Sequence, residues 1–348
     1  MDSNSERDDL RIVVGRAAAE ALARQEERII EVVAASYLAY AGNPETSPNS
    51  QFLLMPGDRR RIIALPGRVG DETAGIKWIA SFPSNRFLGL ERASAVIVLN
   101  SVETGRPQWI VEGSGISAMR TAASAVLVVR LLGFSGESAA TIIGCGRINY
   151  EILRFLTFVM PALTRVSLFD IEPGRAENFA RKVACVHPSL ELSCCSSIDR
   201  ALGAARVQCI ATSAVEPHIE NLGACPPGSL LLHISLRDIA PAALLSAVNI
   251  VDDANHVCRA RTSAHLAEEL TGNRGFIHAT LPQLLRPGAA AYQRTNDKPT
   301  IFHPFGLGIL DVAVGHLCVG IALEKGLIER IPRFFPETWS QGCEPDTA

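Results

Sequence analysis

Apolar positions along this chain change their spacing once, near residue 138, and the change divides the sequence into two kinds of fold. From residue 17 to 40, apolar side chains recur at helical intervals (Ala21, Ile29, Val32, Val33, Leu38), which predicts one long helix. A Pro/Asn/Ser loop over 42–49 follows. Short apolar runs at 51–55, 61–65, 75–81 and 94–100 are then separated by turn formers such as Asp58-Arg59-Arg60 and Glu103-Thr104-Gly105. Strands at hairpin spacing predict a mostly antiparallel or mixed sheet. Residues 117–132 read as an alanine-rich helix and 133–136 as a hinge. From Ser138 onward strands alternate with helices, the strands falling at 139–143, 165–169, 207–212, 229–234 and 248–251. That alternation predicts a parallel, doubly wound α/β sheet. An apolar helix over 309–325 leaves the alternating region and is expected to return to the first one. Residues 1–10 are expected to be disordered, and the last twenty residues to wrap the surface. No internal repeat or low-complexity stretch interrupts this pattern.

Composition narrows the function classes. The chain has 348 residues, 47% hydrophobic and 20% charged, enough for two domains around a large core. A net charge of −3 and no basic run interleaved with aromatics argue against nucleic-acid or anionic-membrane binding. The nine cysteines are scattered, with no Cys-x-x-Cys pair, so a metal site is not expected. Free thiols in that number suit a reducing compartment. The polar start, Met1 to Arg11, is not a signal peptide, and no apolar run reaches membrane-spanning length. A cytoplasmic location is the expectation.

The stretch most suggestive of chemistry is Ala139 to Gly146. An apolar strand runs into Gly144-Cys145-Gly146, a helical pattern follows over 149–160, and a second strand, 165–169, ends on Asp170. Glycines permit a tight turn and a close approach to a pyrophosphate, the helix start supplies free N–H groups, and an acid ending the second strand can accept from ribose hydroxyls. The same acid would repel a 2′-phosphate, favouring NAD over NADP. Asn149 replaces the third glycine of the usual pattern. An ordinary strand-to-helix turn is the alternative, weakened by the strand context and Asp170.

Two basic residues stand out. Lys77 lies inside the apolar strand Gly75-Ile76-Lys77-Trp78-Ile79, where burial is costly unless the amine is paired or functional, and where desolvation would lower its pKa. The alternative is an edge-strand lysine pointing to water. Arg120, in Arg120-Thr121-Ala122-Ala123, could clamp a carboxylate, or could form a structural salt bridge with Glu112. Thr212, Ser213, His233, Asp238 and the pair Asp252-Asp253 follow strands of the alternating region, where a cofactor crevice would lie. Asp252-Asp253 could equally cap the next helix.

Gly75-Ile76-Lys77-Trp78, Arg120-Thr121-Ala122-Ala123, Gly144-Cys145-Gly146 and Gly306-Leu307-Gly308-Ile309-Leu310-Asp311 together resemble the ornithine cyclodeaminase/mu-crystallin family, over about residues 15–330. Further stretches are similar to one branch: Arg61 to Pro66, Lys77 to Pro83, Arg92 to Val96, His233 to Asp238 and Thr271 to Arg274. That branch comprises dehydrogenases that make 2,3-diaminopropionate for the siderophore staphyloferrin B and for peptide antibiotics. The resemblance implies an NAD-binding Rossmann domain, 134–304, inserted into an α+β substrate and dimerisation domain made of 1–133 plus 305–348. It implies a homodimer formed through the first domain's sheet. It also implies oxidative hydrolysis of N-(2-amino-2-carboxyethyl)-L-glutamate to 2,3-diaminopropionate and 2-oxoglutarate with NADH release, the substrate coming from a PLP-dependent synthase.

By the same resemblance Lys77 binds the substrate carboxylate and moves protons, and Arg120 clamps the carboxylate. Asp238, or failing it Asp252, activates water or takes the amine proton. Gly144, Gly146, Arg147, Asn149 and Asp170 hold pyrophosphate and ribose, and Thr212 and Ser213 lie near the nicotinamide ribose. One departure concerns the substrate. Phe52-Leu53-Leu54-Met55 carries Leu54 where an arginine is expected, with Arg59, Arg61 or Arg68 as possible substitutes; Met119 is bulkier than expected. The same scaffold also serves ornithine cyclodeaminases, other amino-acid dehydrogenases, ketimine reductases and non-catalytic crystallin-like proteins.

Overall fold

The computed structural model describes residues 9–56, 60–288 and 296–336. In chain order the first elements are β1 (Leu10–Val13), α1 (Gly15–Ala21), α2 (Glu26–Gly42), β2 (Gln51–Leu54), β3 (Arg61–Val69), β4 (Thr73–Ser81), β5 (Ala93–Asn100), β6 (Pro107–Glu112) and α3 (Gly113–Leu131). There follow β7 (Ala139–Ile143), α4 (Arg147–Val159), β8 (Arg165–Phe169), α5 (Pro173–Val186), β9 (Glu191–Cys194), α6 (Ile198–Leu202), β10 (Val207–Ile210) and β11 (Leu230–His233). The last are α7 (Pro241–Leu245), β12 (Val248–Val251), α8 (Ala254–Val257), α9 (Ser263–Thr271), β13 (Ile277–Thr280), α10 (Leu281–Leu285), β14 (Thr300–His303), α11 (Gly308–Glu324) and β15 (Glu329–Ile331).

These strands form two sheets. One has seven strands in the order β15-β1-β6-β5-β4-β3-β2, antiparallel from β2 to β6, with β1 joining β6 in parallel. The other has eight strands, all parallel, in the order β13-β12-β14-β11-β10-β7-β8-β9. All of its strands come from residues 139–303, between the two stretches that build the first sheet. Strands such as β11, Leu-Leu-Leu-His, are buried along their whole length because helices cover both faces of a parallel sheet.

Several local departures from the sequence pattern have physical causes. The helix expected over 17–40 is two helices, α1 and α2, broken where Arg24 adopts a left-handed φ of 58°. The helix expected from 117 begins at Gly113, because the Glu112 carboxylate accepts the N–H of Ser114 at 2.7 Å and of Gly115 at 3.2 Å and so caps it. Leu10, expected to lie in a disordered start, opens β1, and the C-terminal segment pairs onto it: Leu10 faces Ile331 across the β1–β15 ladder. Residues 1–8 and 337–348 lie outside the described residues, and the rest of both terminal expectations with them.

One apolar cluster joins the two sheets. It includes Tyr37 of α2, Ile97 of β5, Val126 of α3, Phe155 of α4, Phe302 of β14 and Leu310 of α11. A second cluster, with Ile143, Leu231, Ile239, Val251 and Ile301, covers the far face of the parallel sheet. Because β8 lies on one side of β7 and β10 on the other, the strand order reverses at β7, and a crevice opens there beyond the strand ends. Among the described residues the eight cysteines are free thiols, no helix is long and apolar enough to cross a membrane, and no group of three His, Cys, Asp or Glu could hold a metal ion.

Candidate active site

Lys77 stands on β4, an interior strand between β3 and β5, so the edge-strand alternative does not hold. Its cross-strand neighbours are Leu65 and Ile97, which places it on the face turned to α3 and α11. Only 2% of it is exposed. Its ammonium donates to Asp311 Oδ2 at 2.6 Å and to Ser117 Oγ at 3.1 Å. Arg120, on α3, donates from Nε to Asp311 Oδ1 at 3.1 Å, not to Glu112, which is spent on the helix cap. One buried carboxylate therefore holds two cations, and the cluster retains a net positive charge suited to a substrate carboxylate.

The electrostatics follow from this crowding. Burial brings the Lys77 pKa down to about 8; Asp311 opposes that shift and the Arg120 charge adds to it. Burial works to raise the Asp311 carboxyl, but Arg120 and Lys77 together hold it below the usual carboxylate value. Lys77 is thus a cation able to give up its proton near neutral pH, beside an acid that stays ionised. Gly306 makes the approach of Arg120 possible: its φ is 91°, and a Cβ there would stand 2.4 Å from Arg120 Nη1.

At the other side of the crevice, Gly144 has φ 88°, and a Cβ on it would lie 2.5 Å from the Ala211 carbonyl oxygen, so only glycine lets β7 turn against the end of β10. Gly146 opens α4 with no side chain capping the helix start, and a Cβ on it would meet open space. A bare helix start at a switch point fits a dinucleotide pyrophosphate. Arg147 is exposed and reaches across to the start of α3, where a Cβ on Gly115 would lie 3.5 Å from its Nη2. Asp170 ends β8 and accepts the Cys145 N–H at 2.8 Å and the Glu172 N–H at 3.0 Å, bracing the turn beside the place a ribose would take.

Asn149 differs from expectation. Its side chain is fully buried, and its amide donates to the carbonyls of Ile143 at 2.9 Å and Gly144 at 2.7 Å. Its amide nitrogen shapes the turn from beneath, and its carbonyl oxygen is buried with no hydrogen-bond partner. Thr212 donates its hydroxyl to Asp238 Oδ1 and accepts the Ala214 N–H at 3.0 Å, while Ser213 stands exposed at the end of β10.

Asp238 is also placed differently from a free base. It is buried, and its carboxylate receives the hydroxyls of Thr212 and Ser235 and faces His233 Nε2 at 3.1 Å. Burial works to raise its pKa, but these contacts, His233 foremost, draw it down to about 2. A carboxylate so saturated orders the strand ends and holds a proton poorly. His233 continues the chain inward: its Nδ1 lies 3.0 Å from His303 Nδ1, and His303 Nε2 lies 3.0 Å from Asn249 Oδ1. Asn249 gives its amide hydrogens to backbone carbonyls, which fixes its oxygen as acceptor. Burial keeps His303 neutral, its pKa well below the usual histidine value. The chain therefore has His303 donating from Nε2 and accepting from His233 Nδ1.

Asp252 accepts the Gly306 N–H at 2.6 Å and the Asp253 N–H at 2.8 Å, and so holds the loop under Arg120. Asp253 caps α8, as the capping alternative had it, and ties that helix to Tyr40 of α2. Of the substitutes for Leu54, Arg59 lies outside the described residues. Arg68 faces Asp71 at the far end of β3, and Arg61 stands directly across from Leu54. Sequence reasoning gave no role to Asp311, the hub of the cluster. Its signal was available: it is the acid in the first turn of the largely apolar α11.

Residues 17–325 match the model of the ornithine cyclodeaminase/mu-crystallin family. Among curated proteins, N-((2S)-2-amino-2-carboxyethyl)-L-glutamate dehydrogenase of Staphylococcus aureus is 29% identical over 86% of this chain and 91% of its own length. The alanine dehydrogenase of Archaeoglobus fulgidus is 27% identical over 93% of this chain and 98% of its own. Among solved structures, Thermococcus litoralis Delta(1)-pyrroline-2-carboxylate reductase, in complex with NADH and L-proline, superposes with a TM-score of 0.85 at 24% identity, over 92% of this chain and all of its own. The chain belongs to the ornithine cyclodeaminase/mu-crystallin family.

Proposed function

We propose that this chain is an NAD-dependent dehydrogenase that oxidises the C–N bond of N-(2-amino-2-carboxyethyl)-L-glutamate and hydrolyses the product to 2-oxoglutarate and L-2,3-diaminopropionate. The observation that carries this reading is the buried Lys77–Asp311–Arg120 cluster, whose lysine is lowered to about 8, beside the crevice of a Rossmann sheet. The relative of that name supports the choice of substrate. Gly144, Gly146, Arg147 and Asp170 would hold the dinucleotide, with Asn149 behind the turn and Thr212 and Ser213 toward its nicotinamide end. When bound, NAD⁺ supplies a hydride acceptor.

The side chains do the rest. Arg120 and Lys77 hold the glutamate α-carboxylate and fix the Cα–H. Neutral Lys77 takes the proton from the secondary amine, so that nitrogen's lone pair can stabilise the carbon as hydride leaves. Asp311 then stabilises the resulting ammonium. Water adds to the imine carbon, the C–N bond breaks with proton return to nitrogen, and the two products separate. One water is consumed, and one NADH and one proton are formed. Asp238 contributes by holding Thr212 and the strand ends, not by moving a proton.

A PLP-dependent synthase as source of the substrate, a cytoplasmic location, a role in siderophore or antibiotic assembly and a homodimer all belong to the same reading. The dimer is supported by Leu53, Trp78 and Val96, which lie 54%, 44% and 41% exposed on the outer face of the first sheet.

The test is to incubate purified protein with NAD⁺ and N-(2-amino-2-carboxyethyl)-L-glutamate and to measure NADH and 2-oxoglutarate together. Equal amounts are expected. A second reading, an amino-acid dehydrogenase acting on a substrate with fewer carboxylates, is favoured by Leu54 and by the alanine dehydrogenase relative. NADH from L-alanine with none from the larger substrate would select it.

A further inference from the structure

We propose that Arg61, Arg92 and Arg237 form a second anion subsite across the cleft between the two sheets, which receives a carboxylate of the substrate remote from the one held at Lys77 and Arg120. This rests on the reading of that cluster as the first carboxylate's place.

Strand register brings two of the three together. Arg61 begins β3 and faces Ser81 at the end of β4. Directly opposed residues in an antiparallel pair share a face, and alternation makes it the face that also carries Ile79 and Lys77. Arg92, just before β5, donates from Nε to Ser81 Oγ at 3.3 Å, so two guanidinium groups flank one serine. The third comes from the other sheet: Arg237 lies in the loop after β11, beside Asp238, and donates to the Ala260 carbonyl at 2.7 Å.

None of the three has a carboxylate within ion-pair distance among the described residues. The partners that fix Arg92 and Arg237 are neutral oxygens. Arg61 Nε is buried with no hydrogen-bond partner. The like charges act on one another: burial first, then Arg237 and Arg92, depress the pKa of Arg61, and burial and Arg92 depress that of Arg237, an effect its neighbour Asp238 opposes without outweighing. Three arginines at one place with no ion-paired carboxylate cost stability unless an anion joins them. Arg92 is open to solvent and Arg61 and Arg237 are half-buried, so an anion has a way in.

Spacing indicates which anion. Ser81 is four residues beyond Lys77 on β4, about 13 Å along the strand. Long arginine side chains shorten that gap to the span of one substrate molecule with carboxylates at both ends. A monocarboxylate bound at Lys77 and Arg120 leaves the arginines unsatisfied; an acidic amino acid or its keto acid fills both places. Leu54, directly opposite Arg61, contributes no charge, and the positive charge is supplied from its neighbour instead.

The experiment measures binding by calorimetry to the full chain saturated with NADH, with 2-oxoglutarate and pyruvate as probes differing in the second carboxylate. The wild-type protein is expected to bind 2-oxoglutarate at least tenfold more tightly than pyruvate. Arg61→Gln and Arg237→Gln are each expected to reduce that ratio at least fivefold by weakening 2-oxoglutarate alone. Unchanged pyruvate binding shows that each variant is folded, and Arg92→Gln, at a solvent-exposed position, carries the same expectation. Equal affinity of the wild type for the two probes, or a ratio unaltered in all three variants, overturns the subsite. A protein that discriminates between the probes but does not turn over N-(2-amino-2-carboxyethyl)-L-glutamate keeps the subsite and loses the proposed reaction. Turnover without discrimination does the reverse.

Discussion

A buried ammonium keeps its proton only as well as its neighbours allow, and at Lys77 those neighbours oppose one another. Burial and Arg120 lower its pKa to about 8, and Asp311 pulls it back up. If neutral Lys77 is the base, kcat/KM rises with pH through about 8. Replacing Asp311 by Asn removes the group that favours the charged lysine, so the rising limb moves to lower pH. Replacing Arg120 by Gln removes a repelling charge, so the limb moves to higher pH. Opposite shifts in pH–rate profiles are the check; shifts of the same sign contradict the assignment. Lys77→Ala is expected to lower kcat about a hundred- to ten-thousand-fold with NAD binding nearly unchanged by titration calorimetry. Lys77 and Arg120 were legible in the sequence because a charge inside an apolar segment needs a reason. Asp311 carried the same signal, an acid in the first turn of a largely apolar helix, but its partners lie more than 190 positions away and no local pattern names them.

Among the elements, the glycine turn and the strand ends around it set the geometry of the crevice. Gly144→Ala forces a Cβ against the Ala211 carbonyl at a left-handed φ, and we expect a loss of about 1–3 kcal/mol in denaturant unfolding with weakened NAD binding. Asp170→Ala leaves the Cys145 and Glu172 N–H groups without their acceptor and removes the charge that repels a 2′-phosphate. The ratio of NAD to NADP affinity should fall. Deeper in the sheet, Asn249→Leu strips His303 of its acceptor and three backbone carbonyls of their donor, at a cost of about 1–3 kcal/mol in stability. The turn and β7, β8, β11 and β12 could be read from their apolar runs. β6 could not, because Pro107 to Glu112 passes straight into α3 with no turn residues between them. The His233–His303–Asn249 chain was invisible for a different reason: it joins three strands that the sequence does not say are neighbours, since β14 lies between β11 and β12.

In the whole molecule, the parallel sheet is built from the middle of the chain, while α11 and β15 return to the sheet built from its start. That return brings Asp311 under Lys77 and Arg120, so the proposed active site exists only when both ends of the chain are in place. The outer face of the first sheet leaves Trp78 and Val96 exposed; the proposed dimer predicts sedimentation as a dimer for the wild type and as a monomer for Trp78→Glu. The central claim is net oxidation at a C–N bond by the Lys77 cluster. Its most direct measurement uses substrate deuterated at the glutamate Cα and follows where the deuterium goes. Recovery of the label in the nicotinamide ring of released NADH, in step with 2-oxoglutarate and lost in Lys77→Ala, is the predicted result. Deuterium that stays on the carbon, or returns to it with no net NADH, would contradict the account.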